Sequence, residues 1–328
     1  MALDLSQVQS ISDDVWMPNS YDNWSMGNVL MMRLLKNVDK IGSGEYVRYV
    51  LEYAKARGGP MGGGTTFDTA KKVFLNAARF PWAYFYANFT YDIEDEVTIS
   101  GGENEIDFIL KGLDNCQKTI RDLMGDSLWT AYSTMQTTYG ADTKPFYGLA
   151  DLMAQTDTSP YFGKIQMADL GTYAREGTDV NVWLAFSDST SRTANFSTFQ
   201  YLRRNCLVGE GPDGMPSDYI TTPTIYDKFE NGLQASQRFY DEEYAKAGFD
   251  GLKLGSRGTI TWDNKCTSSY VHALNLNKVQ LKAHKDKFFS GPVWKQPTNQ
   301  AAMTTQILFA GAFGTSERRA NGRLTSVS

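Results

Sequence analysis

The sequence has few of the residues that carry most enzyme and metal chemistry. It contains 2 histidines and 3 cysteines among 328 residues, and Cys116, Cys206 and Cys266 form no CxxC pair. Closely spaced cysteines and histidines are the usual signature of structural zinc sites. The sequence therefore predicts no metal site and no cofactor, and it favours three buried thiols in a reducing compartment.

Long hydrophobic runs and an excess of positive charge are also missing. The longest purely apolar run, 307–313, is far shorter than the roughly 20 residues that a membrane-spanning helix needs. The first residues carry acids and lack the apolar segment of a signal peptide. The net charge is -5 and the pI about 5.2, which excludes tight DNA binding through clustered basic side chains. We expect no membrane contact and folding in a cytoplasm.

The glycine-rich stretch RGGPMGGGTT (57–66) raises the question of a phosphate-binding loop. Such a loop needs the pattern GxxxxGK[S/T], and no lysine follows these glycines. The stretch also lies between two aromatic-rich segments, 45–53 and 81–93, whose β-branched and aromatic content favours strands. We therefore expect the exposed tip of a two-stranded excursion.

A run of acidic residues follows the second of these segments, at Asp92, Glu94, Asp95 and Glu96. A calcium-binding loop spreads its ligands over about 12 residues around a glycine, and that spacing is absent here. A solvated patch and a charge partner for another subunit both remain open.

Periodicity predicts an α+β fold with one dominant helix. Apolar residues recur every three or four positions over 104–129, and Asn104 with Asp107 resembles a helix cap. His272 alternates with apolar neighbours on a predicted strand, which indicates a packed or interface histidine. The other predicted helices are 26–37, 198–206 with Ser197 before it, and 226–246 with Thr224 before it. The other predicted strands are 251–262, which contains a turn at 255–258, 269–283 and 303–315. A polar tail follows the last strand.

The order of these elements resembles the major capsid proteins of tailed bacteriophages, whose fold is named after phage Hong Kong 97. The resemblance rests on WAYFYANFTYDIEDEVTISGGENEI, which leads into the long helix IDFILKGLDNCQKTIRDLMGDSLW, and on GLADLM at 148–153. The stretches at 217–239 and 247–264 also look like that family. The resemblance covers about 20 to 325 and implies a Hong Kong 97-like fold.

The resemblance implies four parts of the chain. They are an N-terminal arm at 1–41, an extended β-hairpin loop at 42–85, a peripheral domain with a long spine helix at 86–150 and 277–328, and an axial domain at 151–276. It also implies that the extended loop lies over a neighbouring subunit. The residues expected at this assembly interface are Arg57, Gly58, Gly59, Gly62, Gly63, Gly64, Asp92, Glu94 and Glu96.

The function implied is that of a non-enzymatic shell protein. Hexamers and pentamers of the chain would form the icosahedral capsid of a virion, assembled in the host bacterial cytoplasm. The implied partners are other copies of the chain, a portal, a separate scaffolding protein, decoration proteins, and double-stranded DNA in weak non-specific contact. The alternatives are another virion component, such as a tail or baseplate subunit, and an enzyme acting on a nucleotide or sugar through the glycine loop.

Overall fold

The computed structural model describes twelve stretches of the chain. They are 27–52, 56–64, 66–67, 69–71, 75–92, 102–154, 184–207, 214–232, 252–254, 258–291, 293–297 and 302–328.

Helices and strands are mixed along the chain, as the α+β prediction requires. The helices span Val29–Lys36, Gly102–Trp129, Tyr132–Tyr139, Leu149–Leu152, Phe196–Asn205 and Pro223–Gly232. The strands are β1 Asp39–Ile41, β2 Tyr46–Glu52, β3 Leu75–Pro81, β4 Ala83–Asp92, β5 Phe186–Asp188, β6 Asp218–Thr221, β7 Leu252–Lys253, β8 Thr259–Trp262, β9 Val271–Leu274, β10 Val279–His284, β11 Ala302–Thr315 and β12 Gly322–Leu324. Short 3-10 helices lie at Lys285–Lys287 and Arg318–Ala320.

The 28-residue helix Gly102–Trp129, here called the spine helix, confirms the strongest sequence prediction. Its buried stripe follows every fourth position through Cys116, Ile120, Met124 and Leu128, the spacing that keeps side chains on one helix face. At about 1.5 Å per residue the helix is roughly 42 Å long. It begins at Gly102, so the predicted cap at Asn104 is wrong, because that residue lies inside the first turn.

The spine helix packs against a four-stranded sheet of order β1-β10-β11-β4. β11 is 14 residues long and pairs antiparallel with β4 along its first part and with β10 along its last part. Burial alternates along β4, so that Phe85 and Ala87 face the helix side while Tyr84 and Tyr86 are exposed. A two-layer core of helix on sheet results.

A second, six-stranded sheet has the order β5-β12-β9-β6-β8-β7. The helices Phe196–Asn205 and Pro223–Gly232 cover one face with a core of their own, in which the rings of Phe199 and Phe229 lie 4.7 Å apart. On the other face the imidazole of His272 lies 5.3 Å from the ring of Trp129, at the end of the spine helix. The two sheets are therefore joined through the spine helix.

A buried carboxylate also joins these parts. Asp263, which is fully buried after β8, accepts hydrogen bonds from the backbone amides of Leu30 (3.4 Å) and Lys265 (2.9 Å). The Lys265 ammonium forms ion pairs with Asp122 and Asp126 of the spine helix. Burial raises the pKa of Asp263, and the opposing amide contacts show that the carboxylate helps to cap the helix Val29–Lys36.

Two predicted segments have a different structure. The single strand expected at 269–283 is two strands in different sheets, because a turn starting at Asn275 separates β9 from β10 and its carbonyl accepts from the amides of Lys278 and Val279, both at 2.9 Å. The polar tail contains β12, which lies inside the six-stranded sheet between β5 and β9. Leu324 is fully buried there.

Smaller corrections concern the ends of elements. The helix expected from Ser197 is capped by Asn195, whose side chain accepts from the amide of Thr198 at 2.9 Å. The helix expected at 226–246 begins at Pro223, a residue suited to a first helical turn, and 233–246 lies outside the described residues. The region expected as one strand at 81–93 contributes to two, with β3 and β4 separated at Trp82. The hairpin expected around 255–258 is confirmed by the antiparallel pairing of β7 and β8.

Candidate assembly interface

The extended loop is a two-stranded hairpin made of β2 and β3. The strands pair antiparallel from Tyr46 opposite Pro81 to Glu52 opposite Leu75. Val47, Leu51, Ala78 and Phe80 are buried. The period-two alternation places all of them on one face of the hairpin, which is the face that packs on the rest of the chain.

The packed face rests on the end of β11, where a glycine permits the contact. A Cβ at Gly314 would lie 2.9 Å from the ring of Phe80, closer than real Cβ contacts come. The indole Nε1 of Trp82 donates to the carbonyl of Gly44 at 2.7 Å and closes the base of the hairpin. The base is therefore held by packing and by the hydrogen bond from the Trp82 side chain to the backbone carbonyl of Gly44.

The glycine-rich stretch is the exposed end of this hairpin. Arg57, Gly58, Gly59, Gly62, Gly63 and Gly64 are all exposed. A Cβ at 58, 59, 63 or 64 would meet no atom within 4 Å. The next element is a strand, whereas a phosphate-binding loop opens a helix. The structure therefore places these glycines where a neighbouring molecule can reach them and does not build a phosphate cradle.

The acidic candidates are only partly described. Asp92 is the last residue of β4 and is exposed. Glu94 and Glu96 lie outside the described residues. The structure therefore places Asp92 at the end of the sheet.

The outward face of the hairpin carries residues that the sequence analysis did not select. Arg48 lies opposite Arg79, and Val50 and Leu75 are 74% and 45% exposed on the same face. The alternation of 46–52 was visible in the sequence, but the pairing of the two arginines depends on the register with β3, which no local pattern fixes. This face adds two guanidinium groups and apolar side chains to the candidate interface.

One of the two histidines and all three cysteines are buried in the core. Burial, with a smaller effect from Arg323, lowers the pKa of His272 to about 3. Neither ring nitrogen has a hydrogen-bond partner within the described part of the chain. Cys116, Cys206 and Cys266 are buried, and burial raises the pKa of each thiol, which makes thiolate chemistry unfavourable.

The described stretches contain no group of three or more histidine, cysteine, aspartate or glutamate side chains able to hold a metal ion. Within the same stretches, no helix is both long and apolar enough to cross a bilayer.

Comparison with solved structures identifies the architecture. The chain superposes on the cyanophage A-1(L) capsid asymmetric unit with a TM-score of 0.67, at 12% identity, over 98% of this chain and 99% of that one. The fold is that of the Hong Kong 97-like capsid proteins. The expected fold class is thereby confirmed.

Other neighbours share this fold with equally complete coverage. The capsid of Myoviridae phage XM1 matches with a TM-score of 0.61 at 12% identity, over 99% of both chains. The holo-SrpI encapsulin complex from Synechococcus elongatus PCC 7942 matches with a TM-score of 0.55 at 8% identity, over 100% of this chain and 97% of that one. No family model matches the sequence, and no curated protein does.

Proposed function

We propose that the chain is the major capsid protein of a tailed bacteriophage. Its hexamers and pentamers would close into an icosahedral shell around double-stranded DNA. The observation that carries this proposal is the full-length Hong Kong 97-like fold, shared with phage capsid subunits over 98–99% of both chains.

The surface chemistry supports a structural and non-enzymatic role. The buried histidine and thiols offer no reactive group, and the glycine stretch offers no phosphate cradle. The net charge of -5 suits a container that confines DNA without gripping it. In this proposal the remaining partners are a portal, a separate scaffolding protein and decoration proteins, and assembly takes place in the host cytoplasm.

The division of the chain in this proposal follows the sheets. The arm ends at 41, where β1 pairs with β10. We shorten the extended loop expected at 42–85 to 42–82, because Ala83 begins β4. The peripheral domain contains β4, the spine helix, β10 and β11. The axial domain contains the six-stranded sheet, and because β12 pairs with β5 and β9, we assign 322–328 to the axial domain and not to the peripheral one.

The proposed assembly contacts are the hairpin tip at 57–64 and the acidic segment at 92–96. The tip is exposed and glycine-rich, which lets its backbone approach another subunit closely. Shortening 59–63 tests this assignment. The variant is expected to remain folded, because 59–63 are exposed and a Cβ at Gly59 or Gly63 would meet no atom within 4 Å, and to lose particle formation or particle stability. A variant that forms particles of wild-type yield and thermal stability would contradict the assignment.

The experiment on the function itself is sedimentation of the purified chain, with negative-stain microscopy of the fast-sedimenting fraction. Closed particles are expected. A chain that stays monomeric, even when co-expressed with the other proteins of its virion, would contradict the proposal, and tubes or six-fold plates would indicate a tail or baseplate role.

The encapsulin match favours one rival shell function, that of a compartment without a genome. The contents of the particles separate the two. Phage heads made in infected cells should contain nuclease-protected double-stranded DNA, whereas a compartment should contain protein cargo.

A further inference from the structure

The outward face of the hairpin carries two arginines at the same level. The β2–β3 register places Arg48 directly opposite Arg79, and both side chains are exposed. Side chains directly opposite each other in an antiparallel pair have Cβ atoms about 5 Å apart. The hairpin therefore carries two positively charged side chains at one level of its outward face.

This arrangement is unfavourable in the isolated chain. Like charges directly opposite each other destabilise a strand pair. Among the described residues, neither Arg48 nor Arg79 makes an ion pair or a side-chain hydrogen bond, whereas Arg33, Arg192 and Lys265 each have a carboxylate partner. An anionic group bound between the two arginines would remove this repulsion.

The surroundings of the arginines indicate a protein partner and not a phosphate backbone. Val50 is 74% exposed beside Arg48, Leu75 is 45% exposed, and the half-buried Tyr46 lies on the same face. Arginine next to aromatic and aliphatic side chains is typical of protein interfaces.

A second copy of the chain is the partner whose charge fits best. The chain has 37 acidic and 32 basic residues, so the surface of another copy offers a surplus of carboxylates. The guanidinium fork matches a carboxylate in a bidentate arrangement. Phage DNA is the competing anion, but it does not bury exposed aliphatic side chains.

We propose that the Arg48–Arg79 pair is an intersubunit site that binds a surface carboxylate of a second copy of this chain, with Val50 and Leu75 packing around the ion pair. The inference rests on the proposed shell function and adds a chemical partner for the hairpin's outward face. In the assembled shell the pair holds each hairpin on its neighbour.

The test is assembly of the doubly substituted variant Arg48→Gln, Arg79→Gln. We expect the subunit concentration needed for half-maximal assembly to rise about tenfold or more, since bidentate charge-assisted contacts are among the strongest polar contacts. The control is Arg48→Lys, Arg79→Lys, which keeps the charge but loses the fork and should fall between wild type and the glutamine variant. Both variants should unfold at the wild-type denaturant concentration or slightly above it, because both side chains are exposed.

The outcomes separate the inference from the proposed function. Assembly of the glutamine variant at the wild-type concentration overturns the inference, and normal assembly with reduced DNA retention shows that the pair binds phosphate instead. If the wild-type chain forms no closed particle, sedimentation of smaller oligomers tests whether the arginine pair still binds a second copy. If the wild-type oligomers are sensitive to salt and the glutamine substitutions abolish them, the inference is supported although the shell function is not. If the oligomers form equally well with the glutamine substitutions, the inference and the shell function are both overturned.

Discussion

The buried imidazole of His272 makes the stability of the chain depend on pH. Burial holds its pKa at about 3, against 6.5 for an exposed histidine. In the unfolded chain the imidazole therefore binds a proton as the pH falls through 6.5. In the folded chain the imidazole stays neutral until about pH 3. Stability is complete above pH 6.5 and is lost as the pH falls, by about 1.4 kcal/mol per pH unit. Between pH 7 and pH 5 the loss from this residue is about 2 kcal/mol.

Replacing His272 with Phe removes this proton without removing a hydrogen bond. Neither imidazole nitrogen has a partner in the described structure, and the ring packs against the rings of Trp129 and Tyr270, which a phenyl ring can also contact. Urea unfolding of the unassembled subunit should give His272→Phe a stability close to that of the wild type at pH 7. At pH 5 the variant should be more stable than the wild type by about 2 kcal/mol.

The matched design isolates His272 from other groups. Burial raises the pKa of Asp263 and of Asp151, so those carboxylates contribute the opposite trend, but they do so equally in wild type and variant. The difference between the two proteins is the informative quantity. Equal losses of stability in wild type and His272→Phe between pH 7 and pH 5 would refute the reasoning.

Two further predictions concern the core. Gly148→Ala should lower the free energy of unfolding, measured in urea, by about 2 kcal/mol or more, because its Cβ would lie 2.5 Å from the carbonyl oxygens of Ser127 and Leu128. The control is Gly63→Ala, whose Cβ would lie in open space and which should change the free energy of unfolding by less than about 0.5 kcal/mol. Arg318→Met should lower the free energy of unfolding by about 2–4 kcal/mol, because the buried Arg318 donates hydrogen bonds to the carbonyls of Asp151, Leu152 and Ala154. Equal losses of stability for Gly148→Ala and Gly63→Ala would contradict the first prediction, and an unchanged urea midpoint for Arg318→Met would contradict the second.

The sequence predicted the elements whose signal is local. The spine helix repeats its apolar positions every three or four residues along most of its length, and β4 alternates buried and exposed residues. The glycine stretch was predicted as a tip because both flanking segments had strand composition. These predictions needed no knowledge of the partner elements.

The pairing of strands that are distant in the sequence could not be predicted from local patterns. The tail looked polar, yet β12 pairs with β5 about 136 residues earlier in the chain, and the isolated bridge from Arg192 to Val327 extends this pairing. Arg318 is 1% exposed although its type predicts exposure. Its partners are the carbonyls that end the helix Leu149–Leu152, so the burial becomes evident only when the two segments are brought together.

The candidate interface was also predictable only where its signal is local. The exposure of 57–64 could be predicted from composition, since glycines between strands form turns. The arginine pair could not, because its geometry depends on which residue of β3 lies opposite Arg48. Register is fixed by packing of the opposite face, here through Val47, Ala78 and Phe80.

The most direct measurement of the central claim is a cryo-electron microscopy reconstruction of particles formed by this chain. We expect a closed icosahedral shell with pentamers at the five-fold vertices and hexamers between them, in which density for the hairpin at 42–82 lies over the adjacent subunit. A helical tube, a six-fold plate, or a closed shell in which each hairpin contacts only its own subunit would contradict the account.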